Sequence, residues 1–202
     1  MLLHFSRLPL PARLASRALI ALCLALPAGA ALAAFDLSQL MQTLAQNRGN
    51  RALFVEKKYL AVLDKPVESS GELLYVAPDR LEKRTFKPRP ESLVLEGGLL
   101  TIERGKQKHQ LALQDYPEVA AFVESIRGTL AGDRKALERV YGLRLEGTPE
   151  RWTLYLLPSD PKMAALVSRI SIAGVRGDVR SIEILQADGD RSVMSIERAP
   201  GS

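Results

Sequence analysis

The chain has 202 residues, a formal net charge of +5, one cysteine and two histidines. That length supports one domain with a substantial core, or at most two small ones. With 5% aromatic residues it lacks the stacking platforms that bind bases or sugars, and it carries no nucleic-acid signature.

Residues 1–17 carry Arg7, Arg13 and Arg17 and no acid, and run into the apolar stretch 18–34, which ends near Pro27 and Gly29. Ala31 and Ala33 follow at the −3 and −1 spacing of a small-residue cleavage site. This is the layout of a secretory signal peptide over 1–33, too short and too broken to be a persuasive membrane span. Cys23 lies inside it, so the exported chain 34–202 is expected to be cysteine-free, which excludes disulfides, thiolate metal sites and a cysteine nucleophile. Loss of the three arginines lowers the net charge to about +2. His109 is then the sole histidine, which excludes a two-histidine zinc site.

Asp36 is an expected N-cap, with Leu37, Leu40, Met41 and Leu44 following at helical spacing up to Gly49. A strand is expected over 51–63, in which "EKK" (56–58) reads as an exposed or edge segment. Further strands are expected at 71–77 and 80–87, then two hairpins turning at Gly97–Gly98 and at Gly105. Near residue 115 the period changes. Asp115 and Glu118 have capping-box spacing, Pro117 fits a first turn, and Val119, Phe122, Val123, Ile126 and Leu130 form one apolar stripe. A short helix is expected from Asp133 to Gly142, then strands at "LRLEG" and "WTLYLLP", a helical turn at "KMAALVS", and three last strands. Ten or eleven strands in series with three or four short helices make an α+β protein built on an antiparallel meander. A sheet that large is expected to curl.

No nucleophile elbow, zincin motif, P-loop or dinucleotide fingerprint is present. His109 reads as a solvated residue of a Lys-rich hairpin arm, and Asp188 and Asp190 as hairpin-turn residues rather than a calcium loop. An enzyme would have to start from His109, Glu183, Asp188 or Asp190. "GELLYV" poses the sharper question: Leu73 and Tyr75 point to one face of their strand, Leu74 and Val76 to the other. Leu93 and Leu95 oppose Val94, and Leu99 opposes Leu100, in the same way. Apolar residues on both sides require a cover on each. Helices supply one, and an apolar ligand cavity is the economical use of the remainder.

The order of "FVEKK", "GELLYVAPDRL", "PRPESLVLEGG" and "SIEILQADGDRS" behind a capped amphipathic helix resembles the periplasmic lipoprotein-carrier (LolA-like) family over about 36–198. The resemblance implies a strongly curved antiparallel sheet forming a half-open β-barrel, with short helices covering the open concave side. It implies a non-catalytic, cofactor-free periplasmic monomer. Its partners would be an acylated lipoprotein or lipid cargo, an inner-membrane donor complex and an outer-membrane acceptor. Expected cavity residues are Phe54, Leu73, Tyr75, Leu93, Leu95, Leu100 and Ile102 from the sheet, and Phe122, Val123, Ile126 and Met163 from the helices. The chain departs from the family pattern at Ala77, where a basic residue usually precedes the proline, and at Thr101, where an aromatic is often seen. Its middle looks more like relatives that accompany fatty-acyl or aryl-polyene pathways. A sensor or accessory binding module on the same fold is the second reading.

Overall fold

The computed structural model describes residues 35–47 and 49–200. The expected signal peptide, its cleavage site and Cys23 lie outside them. The described chain opens with helix α1 (Leu37–Ala45), followed by strands β1 (Gly49–Tyr59), β2 (Val67–Val76), β3 (Arg80–Lys87), β4 (Glu91–Glu96), β5 (Leu99–Arg104) and β6 (Gln107–Ala112). Helices α2 (Pro117–Ala131) and α3 (Arg134–Glu138) come next, then β7 (Tyr141–Thr148), β8 (Arg151–Pro158), the one-turn helix α4 (Pro161–Ala164), β9 (Val167–Val175), β10 (Asp178–Gln186) and β11 (Arg191–Arg198).

All eleven strands join one antiparallel sheet in the order β6-β5-β4-β3-β2-β1-β11-β10-β9-β8-β7. Each half is a meander of short turns, and the first strand pairs with the last at the centre. The α+β meander is therefore as expected. The strong curl into a half-barrel is not. Rolling a sheet up requires bulges or glycine kinks repeated along it. Here register shifts are confined to Ser70/Gly71, Val179/Ser181 and Leu185/Gln186, and β6 and β7 remain the two ends of an open ladder.

Local signals explain most boundaries. Asp36 caps α1 with its carboxylate on the Gln39 N–H at 2.9 Å, and the Gln39 side chain accepts the Asp36 N–H in return. Asp133 caps α3 at the Ala136 N–H, although α3 ends at Glu138 and Gly142 lies inside β7. The capping box expected at Asp115 and Glu118 does not form. A 3-10 turn takes up Leu113–Asp115, so the N-cap of α2 falls on Tyr116, whose side chain makes no capping bond. Pro117 does sit in the first turn, where a missing N–H costs nothing.

The helices share one face of the sheet. Leu40, Met41 and Leu44 of α1, Leu137 of α3 and Met163 of α4 pack with Tyr141, Trp152, Leu154, Leu156, Val167, Ile170 and Ile172 into the main core over β7, β8 and β9. Among the described residues, no helix covers the opposite face. Leu53, Val55, Phe86 and Leu157 are exposed there, and Val76 retains 42% of its accessible surface. The expectation that apolar residues on both sides demand two covering layers is thus corrected. Singly scattered apolar side chains on a wet face are ordinary, because a folded surface remains largely apolar.

Candidate functional site

Helix α2 lies over the part of the sheet that α1, α3 and α4 leave uncovered, and it does not fill it. Between them is an apolar cavity of about 590 Å³. Its roof is the helical stripe Val119, Phe122, Val123, Ile126 and Leu130. Its floor draws Leu73 and Tyr75 from β2, Leu81 and Lys83 from β3, Leu93 and Leu95 from β4 and Leu100 from β5. The other half of the sheet contributes Ile182 and Ile184 from β10, and Met194 and Ile196 from β11. Pairing fixes this face. Tyr75 opposes Leu81, Leu81 opposes Leu95 and Leu95 opposes Leu100, and directly paired residues in antiparallel strands project to the same side.

Of the residues expected at a cavity, Leu73, Tyr75, Leu93, Leu95, Leu100, Phe122, Val123 and Ile126 lie on this wall. Phe54, Ile102 and Met163 do not. Phe54 projects to the same face but is closed in opposite Gly71, where an added Cβ would overlap the Arg84 carbonyl oxygen. Ile102 pairs with Leu93 but lies two residues beyond Leu100 along β5, outside the lining, and Met163 is locked into the main core. The contribution of β10 and β11 escaped the sequence reading, although Ile182/Ile184 and Met194/Ile196 are apolar pairs two residues apart.

The roof is tied down along one flank. Ser125, Gly128 and Thr129 are buried on the flank of α2, and Gly132 ends the helix in the left-handed region at φ 65°. A Cβ at Gly132 would overlap the Met41 carbonyl oxygen of α1, so the two helices approach backbone to backbone there. The Tyr141 hydroxyl donates to the Ala121 carbonyl at 2.9 Å, and burial pushes this phenol up to about 12. Ala121, Phe122 and Ile126 also pack against the main core.

Charged residues also line this wall, among them Glu56, Lys58, Lys83, Asp178 and Arg191, and one of these is buried. Glu56, in the middle of β1, is 5% exposed. Its carboxylate accepts Lys83 Nζ at 2.6 Å and Ser192 Oγ at 2.7 Å, with Lys58 Nζ 3.8 Å away. Burial pushes the carboxyl up, but the charge and hydrogen bond of Lys83, the Ser192 hydroxyl and the charge of Lys58 outweigh it and hold it below its ordinary value. The reading of "EKK" as an exposed or edge segment holds for the exposure of Lys57 and Lys58 but fails for Glu56 and for an edge position. β1 is a central strand between β2 and β11, and Ala52, Phe54, Glu56 and Lys58 share its face toward the helices.

His109 is exposed on the end strand β6. Asp188 and Asp190 are engaged in loop geometry: Asp188 accepts the Asp190 N–H at 3.0 Å, and Asp190 accepts the Ala61 N–H at 2.8 Å. Among the described residues, no cluster of three metal-ligating side chains occurs, and no helix is long and apolar enough to cross a membrane.

No curated protein matches the chain significantly. Among solved structures, a LolA superfamily protein from Nitrosomonas europaea is similar at 12% identity and a TM-score of 0.42, over 81% of this chain and 92% of that one. The MucA/MucB complex of Pseudomonas aeruginosa is similar at 16% identity and a TM-score of 0.46, over 83% of this chain but 59% of that one. The family described as outer membrane lipoprotein carrier protein LolA-like matches residues 28–198, and the chain belongs to that family.

Proposed function

We propose that the protein is a periplasmic carrier that shields the acyl chains of a lipoprotein or lipid while they cross from the inner to the outer membrane. The single observation behind this reading is the cavity of about 590 Å³ between the α2 stripe and the apolar sheet face, within the range of roughly 300–1,000 Å³ in which ligands are held. Hydrocarbon in water costs about 0.8 kcal/mol per methylene, or roughly 12 kcal/mol for fifteen of them, so a free chain does not cross an aqueous gap unaided. A dry cavity removes most of that cost without any bond being made or broken. Carriage of this kind needs neither a cofactor nor a catalytic group. The N-terminal stretch 1–33 serves as the export signal, and 34–202 as the single carrier domain. Leu73, Tyr75, Leu93, Leu95 and Leu100 then contact cargo from below, and Phe122, Val123 and Ile126 from above.

Native mass spectrometry of the protein purified from a Gram-negative periplasm, followed by extraction, tests this directly. A co-purified acylated lipoprotein or a free acyl or polyene lipid is the expected result, and which of them appears separates a general carrier from a dedicated one. A protein that arrives empty and also fails to bind an apolar fluorescent probe overturns the reading in favour of a sensor or accessory module.

A further inference from the structure

The charged group around Glu56 on the cavity floor has a composition that structural need does not explain. Four strands contribute to it, the Ser69 hydroxyl of β2 donating to Glu56 at 3.4 Å. Glu56 and Lys58 lie on β1, with Ser192 on β11 directly opposite Lys58, and Lys83 on β3 beyond β2. One carboxylate is shared by two ammonium groups, so the cluster carries a surplus positive charge. A buried ion pair seldom stabilises more than apolar residues of the same volume would, and the surplus ammonium beside it, Lys58, is half exposed and reaches the cavity rim. Apolar side chains at these positions would continue the wall already built by Leu73, Leu93 and Ile196.

Lys83 is the informative member. Its side chain is 23% exposed and lines the cavity. An ammonium has three N–H donors. One is directed to Glu56 Oε2, while the Phe54 ring, 4.8 Å from Nζ, provides a π-face on another side. The remaining donor capacity is presented at a largely apolar surface, where a charge-assisted hydrogen bond is stronger than in bulk water. Resting on the carrier reading above, we propose that the cavity selects amphiphiles bearing an anionic oxygen group, a carboxylate or a phosphate, seated against Lys83 and Lys58 on the sheet floor. The hydrocarbon then runs along Leu73, Leu93 and Leu95 beneath α2. Glu56 holds Lys83 in place and sets the surplus at a single charge, which favours a singly charged group and leaves binding weak enough for release.

The test is displacement of the uncharged dye N-phenyl-1-naphthylamine from the exported protein at neutral pH by dodecanoate, dodecyl phosphate and methyl dodecanoate. At least one anion is expected to bind roughly tenfold tighter than the ester, the scale of one charge-assisted hydrogen bond. The stronger of the two identifies the headgroup chemistry. Lys83→Met is expected to reduce that preference to within about threefold, and Glu56→Gln to widen it by a similar factor. The two variants break the same ion pair, so a merely structural role moves binding of acid and ester alike in both. Opposite shifts in preference report contact with the ligand. If Lys83→Met folds poorly, Glu56→Gln/Lys83→Met leaves no buried unpaired charge, only the half-exposed Lys58, and is likewise expected to lose most of the preference. Equal binding of acid and ester to the unmodified protein, or a preference that survives loss of Lys83, overturns this inference and leaves the carrier reading intact. Failure of all three compounds and of the dye to bind overturns both.

Discussion

Glu56 shows at the scale of one residue how position within a strand outweighs composition. "FVEKK" is charged enough to read as a solvated segment, yet Glu56 and Phe54 are two residues apart and share a face, so burial of one draws in the other. Lys83→Ala leaves the Glu56 carboxylate buried with only Lys58, 3.8 Å away, as counter-charge. It should cost about 3 kcal/mol in urea unfolding, the lower end for a buried pair broken on one side. Glu56→Leu/Lys83→Met, which removes both charges, should cost less than the single change. The pH dependence has a definite sign. Because the folded carboxyl titrates below its ordinary value of 4.5, its stabilisation is present above that pH and is lost as pH falls through the lower folded value. Urea midpoints of Glu56→Gln between about pH 3 and 5 should therefore fall less steeply with acid than those of the unmodified protein. A parallel slope would mean that the carboxylate gains nothing from its partners.

Helix α2 is the element whose role was most legible. Its 3.6-residue stripe identified Val119, Phe122, Val123, Ile126 and Leu130 as one face, and all five form the cavity roof. The flank that fixes the helix was not legible. Ser125, Gly128 and Thr129 are small or polar, and their burial comes from close approach to α1 and α3, which hydrophobic periodicity does not register. The start of the helix was misread for a related reason, since Asp115 has the right spacing to Glu118 but is consumed by a 3-10 turn. The anchorage makes two changes informative. Gly132→Ala combines a φ of 65° with overlap at the Met41 carbonyl, and should lower stability by about 2 kcal/mol or more in urea unfolding. Tyr141→Phe deletes the 2.9 Å bond to Ala121, and should cost about 1 kcal/mol while speeding amide exchange in the first half of α2. Acceleration confined to the second half, around Ser125–Thr129, would show that the tether is elsewhere.

Across the whole molecule, the two halves of one sheet serve different ends. β7, β8 and β9 are packed solid against α1, α3 and α4, whereas β2 to β5, with β10 and β11, meet α2 across a void. The alternation of Leu73, Leu93 and Leu100 with their neighbours was visible in the sequence. Which alternate set faced the helices was not, because period-2 alternation defines two faces without ranking them. Only the central pairing of β1 with β11, which joins the first and last strands, places both meanders on a common face. This division should appear in stability. Leu154→Ala opens a hole in a filled core and should cost about 3 kcal/mol. Leu93→Ala enlarges a space that already exists, so its cost should stay within about 1 kcal/mol while binding of an apolar probe changes. Urea unfolding of the two variants, measured with and without bound lipid, checks the asymmetry. Bound lipid should stabilise the unmodified protein by mass action and raise amide protection first in α2. Equal costs at Leu93 and Leu154 in the empty protein would mean that the α2 side collapses onto the sheet in solution, and a carrier whose cavity closes by itself would have to be opened by its cargo.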